Sequence, residues 1–264
     1  MSAGAPIGII GYGAIGCDLA DRLLRSGHPV TVLLRTESTS RAAVLAAVRT
    51  VHTVDDLIDT RPALVVEAAG QAALESLAPV LLSAGINVVA ASTGALGDPA
   101  VFERLATAAR RGASRLVVPA GALGGLDYLA ALRDSTDATV RYTSRKPPAA
   151  WRAELVAAGH DPATLSVEVL LFEGTAAEAV RLYPHNLNAG LTVALAAAPT
   201  PVTVRVVADP AVELNTHEIE AESHLGSASM RFANRPSPGN PKTSALTAAS
   251  LAAVVRRLLE PVVL

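Results

Sequence analysis

The stretch Ile7-Gly8-Ile9-Ile10-Gly11-Tyr12-Gly13-Ala14-Ile15-Gly16 passes from an apolar run into a glycine-spaced turn and then into a helical pattern. Each glycine in that turn has a physical task. Gly11 permits the tight turn, Gly13 lets backbone approach a pyrophosphate, and Gly16 lets the helix lie close to the strand. The helix start, with Ala14 and Ile15, offers free N–H groups and the positive end of its dipole to phosphate. A lone G-x-G-x-x-G is a weak signal. Here it follows a strand, opens a helix and is succeeded by further units of the same kind, so a dinucleotide site is expected.

Working outward, the apolar runs Ile7–Ile10, Val30–Leu34, Leu64–Ala68, Val88–Ala91 and Leu116–Val118 have strand length and suit strands buried on both faces of a parallel sheet. Between them, Ala14–Leu24, Asp55–Ile58, Gln71–Ser83 and Pro99–Arg111 read as helices. Asp98-Pro99 is a cap with proline at the first helical position, and Thr53-Val54-Asp55-Asp56 fits a capping box. Residues 1–122 are therefore expected to form an α/β Rossmann domain with a doubly wound parallel sheet. Ala69, just after the third run, is placed with the cofactor-binding residues. The cofactor ribose is read at the end of the second strand, where the chain has Leu34-Arg35-Thr36-Glu37-Ser38. Arg35 favours the 2′-phosphate of NADP and Glu37 the 2′-hydroxyl of NAD; the reading leans to NADP, with dual use open.

Composition narrows the class. Half of the residues are hydrophobic but only 3% are aromatic, which favours small and branched side chains packed between helix and sheet layers. The formal charge of −2, without a basic run, speaks against a nucleic-acid partner. The oily stretch from Ala63 to Ala91 is interrupted by Glu67, Gln71, Glu75 and Asn87, so no membrane span is expected. The single cysteine, Cys17, excludes an intrachain disulfide, reads as a small apolar residue of the first helix, and points with the absence of a signal-like N-terminus to the cytoplasm.

Beyond about residue 122 the pattern changes. Val202, Val204 and Val206 alternate with polar residues, as do Val167, Val169 and Leu171, and Ala228, Met230 and Phe232. Residues 123–240 are expected to form an α+β domain with a mainly antiparallel, open-faced sheet, interrupted by helices at Thr175–Leu182 and Leu187–Ala197. That domain is assigned substrate binding, catalysis and oligomerisation. Thr175-Ala176-Ala177-Glu178 is a capping box. A last helix, about 241–260, is expected to start at Asn240-Pro241 and to pack back on the first domain through Leu246, Leu251, Val254 and Leu258.

The six histidines are the acid/base candidates. His28 and His52 read as structural, His160 as an exposed loop residue, and His185, His217 and His224 remain. A metal set of His185, His217, Glu218 and His224 is disfavoured, because adjacent strand residues point to opposite faces. Arg145 and Lys146, and Lys242 with Thr243 and Ser244 at the expected helix start, are candidates for holding carboxylates. Gly121-Ala122-Leu123-Gly124-Gly125 falls at the carboxyl end of a parallel strand, where such sheets bind ligands.

Taken together, Gly11–Gly16, Ser92-Thr93-Gly94-Ala95-Leu96, Pro119–Gly125, Ser144-Arg145-Lys146-Pro147-Pro148, Leu171–Thr175, Asn186-Leu187-Asn188, Asn215-Thr216-His217-Glu218-Ile219 and Asn240–Ser244 resemble the L-aspartate dehydrogenase family. The resemblance implies NAD or NADP as cofactor, contacted by Ala122 and Asn188, with His217 as the catalytic residue. It further implies a dicarboxylate amino acid as substrate, no metal, and a homodimer or larger oligomer. The reaction expected is hydride transfer at the amino-bearing carbon, giving iminosuccinate and then oxaloacetate and ammonia. Gly124, Asn188, Lys242, Thr243 and Ser244 are expected to hold the substrate, with cationic help from Lys242 or Arg145. Ala189-Gly190 departs from the Val-Ala of the family pattern and reads as a wider site. Two rival readings are a dehydrogenase or imine reductase for another amino or keto acid, and a non-catalytic dinucleotide sensor.

Overall fold

A computed structural model describes residues 4–38, 44–183, 187–238 and 240–262, with backbone alone at 240–242. The chain forms two compact units, Met1–Gly121 with Thr247–Leu264, and Ala122–Leu246.

The first unit is built on a six-stranded sheet. In chain order its elements are β1 (Ile7–Ile10), α1 (Ala14–Arg25), β2 (Val30–Leu33), β3 (Arg49–Val51), α2 (Val54–Asp59), β4 (Leu64–Glu67), α3 (Gln71–Ser83), β5 (Asn87–Ala90), α4 (Pro99–Gly112) and β6 (Leu116–Val117). The strand order is β3-β2-β1-β4-β5-β6 and every pairing is parallel, so the expected doubly wound sheet is present. Strands β1, β2 and β4 are buried at every residue, which is why they read as unbroken apolar runs. Edge strand β3 has no such run, so no strand was expected there. The caps form as read: Thr53 Oγ1 accepts from Asp56 N at 3.1 Å, and Asp98 Oδ1 from Ala100 N at 2.8 Å.

The second unit contains α5 (Leu126–Ala131), β7 (Thr139–Lys146), α6 (Arg152–Ala157), β8 (Val169–Thr175), α7 (Ala176–Leu182), α8 (Asn188–Ala197), β9 (Val202–Ala208), β10 (Asn215–Ser223), β11 (Gly226–Asn234), β12 (Pro236–Ser237) and β13 (Asn240–Ser244). Its main sheet has the order β11-β10-β7-β9-β8. Three pairings are antiparallel, but β7 and β9 run parallel, joined through a long connection that holds helices. Helix α8 packs on β7 and β9. The opposite face carries ion pairs, Arg141 with Glu220 at 2.9 Å and Arg205 with Glu173 at 2.9 Å among them. The alternation at Val167, Val169 and Leu171 is less regular than it reads. Val167 lies before the strand, exposed, and the register shifts between Leu170 and Phe172.

The last helix, α9 (Leu246–Leu259), begins later than its sequence suggests. Asn240–Ser244 is instead strand β13, paired with β12, where Pro241 is tolerated at the edge of a two-stranded ladder. The helix starts where Ser244 Oγ accepts from Leu246 N at 3.3 Å. From Thr247 on, α9 belongs to the first unit, and its Ala248, Leu251, Ala252, Val254 and Val255 share a core with Ile7, Ile9, Leu19 and Val30. Leu251→Ala is expected to cost about 2–5 kcal/mol in urea unfolding, whereas Leu246→Ala, on an exposed side chain, costs well under 1 kcal/mol.

Candidate active site

The glycine turn of the first unit has the shape of a dinucleotide cradle. Gly11 has φ of +91°, and a Cβ there would stand 2.7 Å from the Cβ of Ala69. A Cβ on Gly16 would stand 2.3 Å from the carbonyl oxygen of Gly11, so only glycine lets α1 lie this close to β1. Around Gly13 the situation is reversed: a Cβ would meet nothing within 4 Å. Gly13 is also the N-cap of α1, with no side-chain cap and no acidic residue in the first turn, so the helix directs its N–H groups into open space. These features fit a pyrophosphate. Ala14 and Ile15 are the first residues of α1 and Ala69 backs Gly11, so the cradle brings together the expected residues of the turn. Arg35, Thr36 and Glu37 are exposed beyond β2.

One residue of this region escaped the sequence reading. Glu67, at the end of β4, is completely buried. Its Oε1 accepts from Ala69 N and Gly70 N, both at 2.7 Å, and from Ser92 Oγ at 2.9 Å, while Oε2 accepts from Ser92 N at 3.0 Å. Burial pushes its carboxyl up, and these hydrogen bonds pull back towards the ionised form. The carboxylate thus ties the turn after β4, which backs Gly11, to the turn after β5. Its signal was present as a lone Glu closing an apolar run, but it read only as an interruption.

In the second unit, His217 lies on β10 opposite Ser144 of β7 and Phe232 of β11. It is only 5% exposed, and its Nδ1 is hydrogen-bonded to Tyr142 Oη at 2.7 Å. The two rings stack with centroids 6.0 Å apart. Burial pushes the imidazole down to about 3, and the charge of Lys146 acts in the same direction. Lys146 shares the face of Tyr142 and Ser144 by strand alternation, is 3% exposed, and sets Nζ 5.1 Å from the centre of the Trp151 ring. Glu218 faces the other way, bonded to Arg145 at 3.3 Å and to Arg231 at 3.5 Å, so it does not converge with His217. Among the described residues no group of three His, Cys, Asp or Glu is placed to hold a metal ion.

Other expected residues are placed differently. Arg145 is turned to the face opposite Lys146 and is held by Glu168, by Asp209 at 2.8 Å and by Glu218. Burial works against its charge, and those carboxylates more than reverse the effect. It is committed to the fold, and Lys146 is the cation near His217. Gly124 and Gly125 make room for neighbouring side chains: a Cβ would stand 3.1 Å from Phe232 at the first and 2.2 Å from Met230 Sδ at the second. Ala122 O accepts from Asn234 Nδ2 at 2.8 Å. Asn188 is the first residue of α8. Thr243 and Ser244 belong to β13, and the Ser244 hydroxyl is used on Leu246 N, so these residues are not the first turn of a helix. His28 and His52 bond the backbone oxygens of Ala5 and Leu34, His160 is exposed, and His224 pairs with Asp137 at 2.7 Å. His185 and Asn186 lie outside the described residues.

A parallel sheet in Rossmann order with an open glycine cradle, followed by a mixed-sheet domain with a buried imidazole, defines a nicotinamide-dependent oxidoreductase. Residues 11–119 match the model of the homoserine dehydrogenase NAD-binding domain, and residues 127–258 that of the aspartate dehydrogenase C-terminal domain. The chain belongs to the L-aspartate dehydrogenase family. It is 45% identical to L-aspartate dehydrogenase 2 of Bordetella pertussis over 96% of each chain. It is 38% identical to the L-aspartate dehydrogenase of Ruegeria pomeroyi over 95% of this chain and 91% of that one. Crystalline aspartate dehydrogenase from Thermotoga maritima superposes with a TM-score of 0.79 at 27% identity, covering 99% of both chains. A hyperthermophilic archaeal homoserine dehydrogenase in complex with NADPH shares the fold, with a TM-score of 0.61 at 12% identity over 96% and 97% of the two chains.

Two outcomes are expected. Glu67→Gln leaves an amide nitrogen against an N–H donor, so stability falls by about 1–3 kcal/mol and calorimetric affinity for the dinucleotide drops. The second concerns acid. With His217 near 3 in the fold against 6.5 when unfolded, the unfolded chain binds more protons between these values, and stability is lost as pH falls from 6.5 towards 3. Unfolding of His217→Asn across that window should show a shallower loss than the parent.

Proposed function

We propose that the protein is an NAD(P)-dependent L-aspartate dehydrogenase, interconverting L-aspartate and iminosuccinate, with oxaloacetate and ammonia formed by hydrolysis. The observation that carries this reading is a buried, neutral imidazole with a buried lysine beside it, in a chain of this family. A nicotinamide dinucleotide held by Gly11–Gly16 would supply the hydride acceptor, or donor in reverse, for the amino-bearing carbon. The remaining work falls to the protein. His217 takes a proton at Nε2 from the substrate amine, or from the water that adds to the imine, and gives it back in the reverse direction. The ammonium of Lys146 holds one substrate carboxylate, while burial, with the lysine's charge as a smaller contribution, keeps His217 neutral and its Nε2 lone pair free. Asn188 and the backbone near Gly124 and Lys242–Ser244 complete the substrate contacts, with Ala122 and Asn188 towards the cofactor. Exposed Arg35 favours the 2′-phosphate of NADP, and Glu37, two residues on, leaves room for NAD.

The test is the initial rate of nicotinamide absorbance change with L-aspartate and either cofactor, and with oxaloacetate and ammonia in reverse. Aspartate-selective turnover is expected, and cofactor binding without turnover on any amino acid would overturn the reading. His217→Ala should lower kcat by about 10²- to 10⁴-fold. Lys146→Met should raise KM for aspartate by about 30-fold or more. Because His217 stays neutral down to about 3, kcat/KM should show no acid limb near the 6.5 of an ordinary histidine.

A further inference from the structure

The departure at Ala189-Gly190 has a structural counterpart in Tyr142. Gly190 lies in α8 with no positive φ to require glycine, yet a Cβ there would stand 3.1 and 3.2 Å from Cε1 and Cδ1 of the Tyr142 ring. That is tighter than ordinary van der Waals contact, so an alanine methyl would push the ring. The missing methyl makes room for a tyrosine, and the far end of that tyrosine reaches His217 Nδ1 at 2.7 Å.

We propose that Tyr142 is a positioning residue for His217: its hydroxyl oxygen accepts from Nδ1–H, which holds the imidazole in the tautomer whose Nε2 lone pair is free, and Gly190 is the residue that lets it do so. This rests on the proton-transfer role given to His217. A base at Nε2 must carry its own hydrogen on Nδ1, and a buried Nδ1–H needs an acceptor. A hydroxyl can fill that place before and after Nε2 takes its proton, since Nδ1–H is present in both states. Tyr142 is fully buried and its ionisation is pushed upward, so it remains a neutral acceptor. Ser144, two residues along on the same face, has a buried Oγ without a hydrogen-bond partner. A carboxylate in the same place would add a negative charge and stabilise the imidazolium. A phenol leaves His217 able to surrender its proton in the reverse reaction.

Among the described residues, the groups that face His217 are few. Strand β7 brings Tyr142, Ser144 and Lys146, β11 brings Phe232, and α8 contains no ionisable residue. Glu218 of β10 lies on the other face with Arg145 and Arg231. Among the described residues, Lys146 is the charge that adds to burial in keeping the ring neutral, and Tyr142 is the contact that sets its tautomer.

The experiment is nitrogen NMR of histidine-labelled full-length protein, with the His217 signal assigned through its loss in His217→Asn, beside steady-state kinetics. The free protein should carry the proton on Nδ1. Tyr142→Phe, which keeps the buried ring, should shift His217 towards the Nε2–H tautomer. It should also lower kcat by about 10- to 100-fold while KM stays within about three-fold. Gly190→Ala should fall between the two in both readouts. A wild-type His217 protonated on Nε2, or a tautomer unchanged in Tyr142→Phe, overturns the proposal whatever the activity does. A changed tautomer with unaltered turnover upholds the Tyr142 assignment and sinks instead the role given to His217.

Discussion

The first unit depends on how closely a helix can approach a strand. A Cβ on Gly16 would stand 2.3 Å from the Gly11 carbonyl oxygen, and one on Gly11 would stand 2.7 Å from the Ala69 Cβ. These two contacts fix the crossing of α1 over β1, and the crossing fixes where the first N–H groups of α1 point. Gly13, between them, has no such neighbour. Two glycines are required by protein atoms that crowd them, and the third by a space that protein atoms leave. The rest follows from the strand that feeds the turn: β1 pairs with β2 and β4 on either side, and α9 contributes Leu251 and Val255 to the core around Ile7 and Ile9.

Two buried titratable groups show opposite ways of living without water. Glu67 receives four hydrogen bonds from three residues, which oppose the cost of burying its charge. Its carboxyl group is a structural tie between turns. His217 has a hydroxyl at Nδ1 and a cation nearby, and both its burial and that cation disfavour the protonated ring. The donors around Glu67 oppose the effect of burial, whereas burial and Lys146 act together to keep the His217 ring neutral. A neutral imidazole suits the proton-accepting role proposed for His217.

The sequence revealed the first unit more fully than the second, for a physical reason. Strands buried on both faces leave unbroken apolar runs, and the glycine turn leaves a fixed spacing, so β1, β2, β4 and the cradle could be read directly. Strand β7 left neither signal. Its residues from Thr139 to Lys146 mix charge, hydroxyl and ring, because one face packs under α8 and the other bears ion pairs. The start of α9 was misplaced because Asn240-Pro241 has the composition of a cap while lying in a two-stranded ladder. Of the candidate functional residues, His217 was expected from the family resemblance of its motif. Tyr142 and Glu67 were not, since their importance lies in partners 75 and 25 residues away.

Alternation along β7 and β10 does the final sorting. Arg145 and Lys146 are adjacent in sequence, as are His217 and Glu218, and a strand must send each pair to opposite faces. On the open face Arg145 meets Glu168, Asp209 and Glu218, so its charge is matched within the fold. On the covered face stand Lys146, Tyr142 and His217, beneath a helix that brings no ionisable side chain. Segregation of this kind places a buried lysine and a neutral imidazole on the covered face. The substrate proposed above, with carboxylates next to an amine, would meet both there. Exchanging the positions of Arg145 and Lys146 would conserve composition and charge, but it would place a guanidinium where the Trp151 ring now accommodates an ammonium and strip the open face of the fork its three carboxylates engage. The order of two adjacent cations is therefore part of the chemistry.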